Sequence, residues 1–328
     1  MLDLYHRQIN YIRVSITDKC NLRCVYCRPA RKFFLLERSQ ILSYEEIIRL
    51  IRVAVTCGIS KVRLTGGEPL LRRDVLNLVR SISHLDGVRD ISLTTNGILL
   101  DQMAWGLYEA GLRRINVSLD SLNREKYRTI TCRDWFDQVL QGIEKASQIG
   151  FSPIKINMVV IRGINDDEVL DMARLSLNYP FQIRFIELMP IGNDQLWQER
   201  QYVSSHEIKK IITAYRPLIP SSSPSPPEVG PAQVFEFEGA PGKIGFISPL
   251  SNHFCSTCNR IRLTSDGKLR SCLFSNHEID IKTVMRSGCS DDDLHRLFIQ
   301  GIENKPPGLD TSRFSSLECN RHMNSIGG

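Results

Sequence analysis

Cys20, Cys24 and Cys27 stand as C-x3-C-x2-C in the stretch TDKCNLRCVYCRP. Thiols clustered this closely are metal ligands more often than disulfide partners. A structural zinc site wants four ligands, and His6 is only a weak candidate for the fourth. Three thiolates suit a [4Fe–4S] cluster whose fourth iron stays open to a chelating ligand. An open iron is a place for chemistry rather than for electron storage alone.

A second group lies in FCSTCNRIRLTSDGKLRSCLF, where Cys255, Cys258 and Cys272 form C-x2-C-x13-C. Zinc is an option here too, completed by His253, His277 or Cys289. The alternative is a second three-thiolate [4Fe–4S] cluster, whose free iron would take a substrate nitrogen. Arg260 and Arg262 alternate within this block and can face one anion together. Guanidinium forks match phosphate oxygens, whereas the plain alternative is a pair of solvated strand arginines. Cys57, Cys132, Cys289 and Cys319 fall in no motif; Cys57, near a helix end, reads as a small buried residue. Asp291, Asp292 and Asp293 read as a solvated helix start.

Six β-type runs must position these groups: 11–17, 61–67, 90–97, 114–120, 154–161 and 182–189. Amphipathic stretches separate them, such as SYEEIIRLIRVAVTCG, which opens with the Ser43/Glu46 spacing of a capping box. Val75, Leu76, Leu78 and Val79 form a core-facing helical stripe. The alternation implies a parallel α/β architecture, an open doubly wound sheet or a partial barrel. Strand ends such as Gly66-Gly67-Glu68, Thr94-Thr95-Asn96-Gly97 and Ser118-Leu119-Asp120 mark the face where ligands bind in such folds. Missing side chains at Gly66 and Gly67 let backbone come close to a ligand. The Pro/Ser-rich stretch 217–233 reads as a linker between a barrel at 1–216 and a second domain at 234–328. VFEFEGAPGKIGFISP, which follows, reads as a hairpin.

With 328 residues, 42% hydrophobic and 24% charged, the chain is an ordinary globular protein with ample core. Its net charge of +6 falls short of a dedicated nucleic-acid binder and suits an anionic small molecule. No apolar run is long enough for a membrane span, and MLDLYHRQIN carries no secretory h-region. Ten cysteines without an export signal imply a reducing compartment, hence the cytoplasm.

The first cysteine group, with Tyr26 before its third thiol and GGEP at 66–69, resembles the radical S-adenosylmethionine (SAM) enzymes. Together with LTTNG, NVSLD, the CNRIRLTSDGKLRSCLF block and a terminal IGG, it resembles the GTP 3′,8-cyclase family from residue 13 to residue 328. That resemblance implies a partial (βα)6 TIM-like barrel with a C-terminal domain carrying a second [4Fe–4S] cluster. It implies SAM and two [4Fe–4S] clusters as cofactors, the first of which cleaves SAM to a 5′-deoxyadenosyl radical. The radical removes the 3′ hydrogen of GTP, and the ribose carbon then attacks C8 of guanine. By the same resemblance Tyr26, Gly67, Ser118 and Met189 contact SAM. Arg13, Arg63, Thr94, Lys155, Arg260 and Arg262 contact GTP, and Gly327 and Gly328 thread toward the reacting nucleotide. An external electron donor is implied, with cyclic pyranopterin monophosphate synthase downstream and a monomer or homodimer as the assembly. The competing readings are a peptide-modifying radical SAM enzyme with an auxiliary cluster and, more remotely, a metal-stabilised binding module.

Overall fold

A computed structural model describes residues 1–27, 35–191, 199–221, 230–308, 319 and 321–327. Six strands follow the expected runs: β1 (Tyr11–Ser15), β2 (Lys61–Thr65), β3 (Asp90–Thr95), β4 (Arg114–Ser118), β5 (Ile154–Val160) and β6 (Gln182–Glu187). Between and after them come α1 (Tyr44–Thr56), α2 (Val75–Ser83), α3 (Leu100–Glu109), α4 (Arg124–Thr131), α5 (Phe136–Ile149), α6 (Val169–Asn178) and α7 (Ser205–Tyr215). The remaining strands are β7 (Leu218–Pro220), β8 (Gln233–Phe237), β9 (Lys243–Ile247), β10 (Arg260–Leu263), β11 (Lys268–Arg270) and β12 (Ile279–Asp280). Helices α8 (Ile281–Arg286), α9 (Asp291–Glu303) and α10 (Met323–Ile326) are the last helices among the described residues.

Among the described residues, twelve strands join one sheet in the order β12-β11-β10-β1-β2-β3-β4-β5-β6-β9-β8-β7. β1 to β6 run parallel in sequence order, as βα connections demand. The later part of the chain then extends both sides in parallel, β10 beside β1 and β9 beside β6. β8 and β9 form the expected hairpin. The stretch expected to be a linker contributes β7, paired antiparallel with β8, while residues 222–229 lie outside the described residues.

Period-two alternation explains where the core sits. Ile12, Val14, Val62, Leu64, Leu93, Ile115, Val117, Ile156 and Phe185 point outward beneath the helices and are buried. Their neighbours Arg13, Arg63, Asn116, Asn157 and Arg184 point the other way. A closed barrel of this kind fills its interior with branched apolar side chains; a polar interior builds a binding cavity instead. Helix caps fix the outer layer: Ser43 Oγ accepts from Glu46 N, and Glu46 Oε2 accepts from Ser43 N at 2.7 Å. Ser290 caps α9, so the three aspartates do open a helix. Cys57 caps α1 and is buried. No described helix is long and apolar enough to cross a membrane.

Candidate functional site

A cavity of about 300 Å³ occupies the inside of the strand layer. Its wall includes all six motif cysteines, Tyr26, Gly67, Ser118, Met189, Arg13, Arg63, Thr94, Arg260 and Arg262. Lys155 is not in the wall. It lies on the inward face of β5, two residues nearer the strand's start than the wall residue Asn157. Burial first, then Arg184, Arg114 and Arg63, lower its pKa to about 6. Gly328 lies outside the described residues.

The loop bearing Cys20, Cys24 and Cys27 leaves the end of β1 and is held from three sides. Gly67 N donates to Thr17 O at 2.6 Å and Glu68 N to Lys19 O at 2.7 Å, joining the GGEP turn to the loop. A Cβ on Gly67 would collide with the carbonyl of Lys19 and come within 2.8 Å of Asp18 O. The glycine pair is therefore required by chain packing within the protein, a reason closer at hand than approach to a ligand. From a second side, Asn96 Nδ2 donates to Asn21 Oδ1 at 2.7 Å and reaches Cys20 Sγ at 3.9 Å. From the third, Arg23 N and Val25 N donate to Thr131 O and Ile130 O at the end of α4.

Two carboxylates, both in quoted motifs but neither assigned a role from sequence, organise this end of the cavity. Glu68 accepts from Thr95 Oγ1 at 2.8 Å, Asn96 N at 2.7 Å and Leu70 N at 3.0 Å, and burial lifts its pKa to about 7. Asp120 accepts from Tyr26 Oη at 2.6 Å and Val159 N at 2.8 Å, and burial lifts it to about 6. The aromatic ring before the third cysteine is thus pinned to the end of β4.

The donor sets fit the expected groups. None of the ten cysteines forms a disulfide. Burial and then the neighbouring Cys27 thiol raise Cys24 well above its ordinary pKa. Among the described residues no three His, Cys, Asp or Glu side chains converge on a single ion. His6, His253, His277 and Cys289, the candidate fourth zinc ligands, are absent from the cavity wall. Tyr11 Oη, Thr94 Oγ1, Asn157 Oδ1, Arg184 Nε and Asn324 Oδ1 are buried in that wall without hydrogen-bond partners, the signature of a polar ligand's site.

Charge sharpens the picture. Among the described residues, Arg13, Arg63, Arg184, Arg260, Arg262 and Lys305 line the cavity against only Glu68 and Asp120. Burial and then repulsion from Arg262 lower Arg13 well below its usual range. Burial and then Arg260 bring Arg262 to about 10, and burial with Arg63 brings Arg184 to about 9. Buried cations that repel one another call for an anion of several charges. At the second cysteine group, burial pushes the Cys258 thiol up, but Arg260 and Lys305 outweigh it and hold the pKa at about 6. Arg184 occupies an inward position of the same kind as Arg13, so strand alternation alone could have found it. Lys305 has no such signal, because it follows α9 in an irregular loop.

The C-terminal tail enters the same cavity. Arg321 grips Asp266 at 2.9 and 3.0 Å and Glu278 at 2.7 Å. Met323 and Asn324 then join the wall, Asn324 Nδ2 donates to Asp18 O, and Arg262 Nη1 donates to Gly327 O at 2.7 Å.

Comparisons with known proteins agree with this layout. A profile of the radical SAM superfamily matches residues 14–176, and one described as Molybdenum Cofactor Synthesis C matches residues 181–311. Similar curated proteins include the GTP 3′,8-cyclases of Moorella thermoacetica, 51% identical, and Thermodesulfovibrio yellowstonii, 46% identical, each aligned over 100% of both chains. Among solved structures, Streptococcus suis SuiB bound to precursor peptide SuiA superposes with a TM-score of 0.67 at 12% identity, covering 97% of this chain and 75% of that one. That likeness shows a shared fold alone. Full-length identity near one half and two profiles that each span one cysteine group go further: the chain belongs to the GTP 3′,8-cyclase family of radical SAM enzymes, which use SAM and an iron–sulfur cluster in making the molybdenum cofactor.

Proposed function

We propose that this cavity takes SAM and GTP side by side and cyclises the nucleotide to (8S)-3′,8-cyclo-7,8-dihydroguanosine 5′-triphosphate, the first step of molybdenum cofactor formation. The observation that carries this reading is one cavity lined by both cysteine groups and, among the described residues, by six cations. Cys20, Cys24 and Cys27 would hold the first [4Fe–4S] cluster, and Tyr26, Gly67, Ser118 and Met189 would surround SAM. When bound, cluster and SAM supply a carbon radical able to abstract hydrogen. Arg13, Arg63, Thr94, Arg260 and Arg262 hold the nucleotide, its phosphates answering the crowded guanidiniums. Lys155, deeper in the barrel, adds to the same positive field. Cys255, Cys258 and Cys272 would hold a second [4Fe–4S] cluster, which would supply an open site for the guanine edge. Arg262 and the Gly327-Gly328 tail fix the ribose for hydrogen abstraction. The reaction draws on an external electron donor, and its product passes to cyclic pyranopterin monophosphate synthase.

Anaerobic reconstitution should give about eight iron and eight sulfide per chain, and incubation with GTP, SAM and reductant should give the cyclised nucleotide. Zinc in place of iron, or no cyclised product, refutes the reading. Replacing any of Cys20, Cys24 or Cys27 with Ala should abolish 5′-deoxyadenosine production. Replacing Cys255, Cys258 or Cys272 should leave some 5′-deoxyadenosine but no cyclised nucleotide. Normal product from either set removes that group from the chemistry.

A further inference from the structure

Cys255, Cys258 and Cys272 come from a short turn before β10 and from the end of β11, and the pairing of β10 with β11 brings the two pieces together. Two buried cations outside both cysteine motifs tie them further. Arg7, 5% exposed, donates from Nη1 to Cys255 O at 2.9 Å and from Nη2 to Pro306 O at 2.8 Å. Its Nε pairs with Asp3 Oδ2 at 2.6 Å, so its charge is met. Lys305, 3% exposed, donates from Nζ to Arg260 O and to Ser271 O, both at 2.8 Å. Those carbonyls lie two residues past Cys258 and one residue before Cys272. Arg7 thus holds the first cysteine and the loop that presents Lys305, and Lys305 ties the segments of the other two.

The charges of the two cations differ in consequence. Lys305 Nζ has only carbonyl partners, with no carboxylate in ion-pair reach among the described residues. An ammonium buried against neutral dipoles needs an anion close by. Burial, the largest influence, lowers the Lys305 pKa; Cys258 and Cys272 favour its charged form, while Arg260 and Arg7 oppose it.

We propose that Arg7 and Lys305 are positioning residues for the second cluster, clamping the backbone of its three cysteine segments, and that the Lys305 charge stabilises the cluster's reduced state. The proposal rests on the second-cluster reading, and the test separates the two. Full-length protein is reconstituted anaerobically, with iron, sulfide and the midpoint potential of each cluster measured by EPR-monitored titration. Wild-type protein with about four iron per chain would defeat the second-cluster reading itself. With eight in wild type, Lys305→Met should lose about half the iron while a cooperative thermal transition persists. Lys305→Gln, which can still donate to a carbonyl, should keep more iron but move the second cluster to a more negative potential. Lys305→Arg should hold the wild-type potential. Wild-type iron and unchanged potentials in both neutral variants would overturn the proposal. Should Lys305→Met fail to fold, the comparison of Gln with Arg decides: equal potentials in the two would overturn the charge role.

Discussion

Glu68 is 1% exposed and accepts three hydrogen bonds, yet burial raises its pKa from 4.5 to about 7. Below pH 4.5 the residue is protonated whether the chain is folded or not. Between 4.5 and 7 the unfolded chain loses its proton first, so the contribution to folding falls as pH rises and is flat above 7. The swing is on the order of 3 kcal/mol. Asp120, raised from 3.8 to about 6, adds a swing of the same sign at lower pH. Thermal melts of the reconstituted protein from pH 5 to 8 should therefore show a smaller decline in Glu68→Gln than in wild type. At pH 8 the variant should be less stable by about 1–3 kcal/mol, because the amide faces the Asn96 N–H with a donor. An unchanged pH slope would mean Glu68 does not titrate in that window. Arg262→Ala should lower GTP binding or turnover by roughly 10- to 100-fold, the worth of a charge-assisted contact, with iron content unchanged. Unaltered GTP kinetics would leave Arg262 as a tail anchor only.

At the level of elements, the tail that begins at Arg321 and includes α10 is the feature most sensitive to small change. Gly327 has φ +73, and a Cβ there would collide with Thr65 Oγ1 and come within 3.2 Å of Ser15 Cβ. Gly327→Ala must therefore lift the tail from β1 and β2 and break its bond from Arg262. The expected result is a fall in the ratio of cyclised nucleotide to 5′-deoxyadenosine, with both iron content and melting temperature close to wild type. The same ratio at the same rate would show that the tail is only a chain end. The sequence announced β1 to β6 through β-type runs, three of them closed by Gly, Asn or Asp, and α1 through its capping box. It did not announce β7, β11 or β12, which are two or three residues long and are held by antiparallel partners rather than by any period of their own. Lys155 shows the limit at a finer grain: alternation puts it inside the barrel, but depth along the strand decides whether it meets the cavity, and depth is set by the sheet's register.

Over the whole molecule, both cysteine groups were readable because thiol spacing is a local pattern. Their meeting was not, because it depends on β10 returning to pair with β1, Tyr11 opposite Arg260 and Arg13 opposite Arg262. Separations of that size carry no signature in a window of neighbouring residues. They do carry a consequence for synthesis. While the ribosome extends the chain, β1 to β6 can pair in order, but β1 stays an open edge until residues past 260 emerge. The loop with Cys20, Cys24 and Cys27 hangs from that edge, so metal has access to it for most of translation. An edge strand left bare also templates pairing with other chains. A chain ending at residue 216 should accordingly aggregate on expression, whereas one ending at 308 should stay dispersed, as sedimentation of freshly lysed cells would show. Equal solubility of the two would mean that neither β1 nor β6, whose partner β9 is lost as well, needs cover. In this fold the first strand made is among the last to be closed.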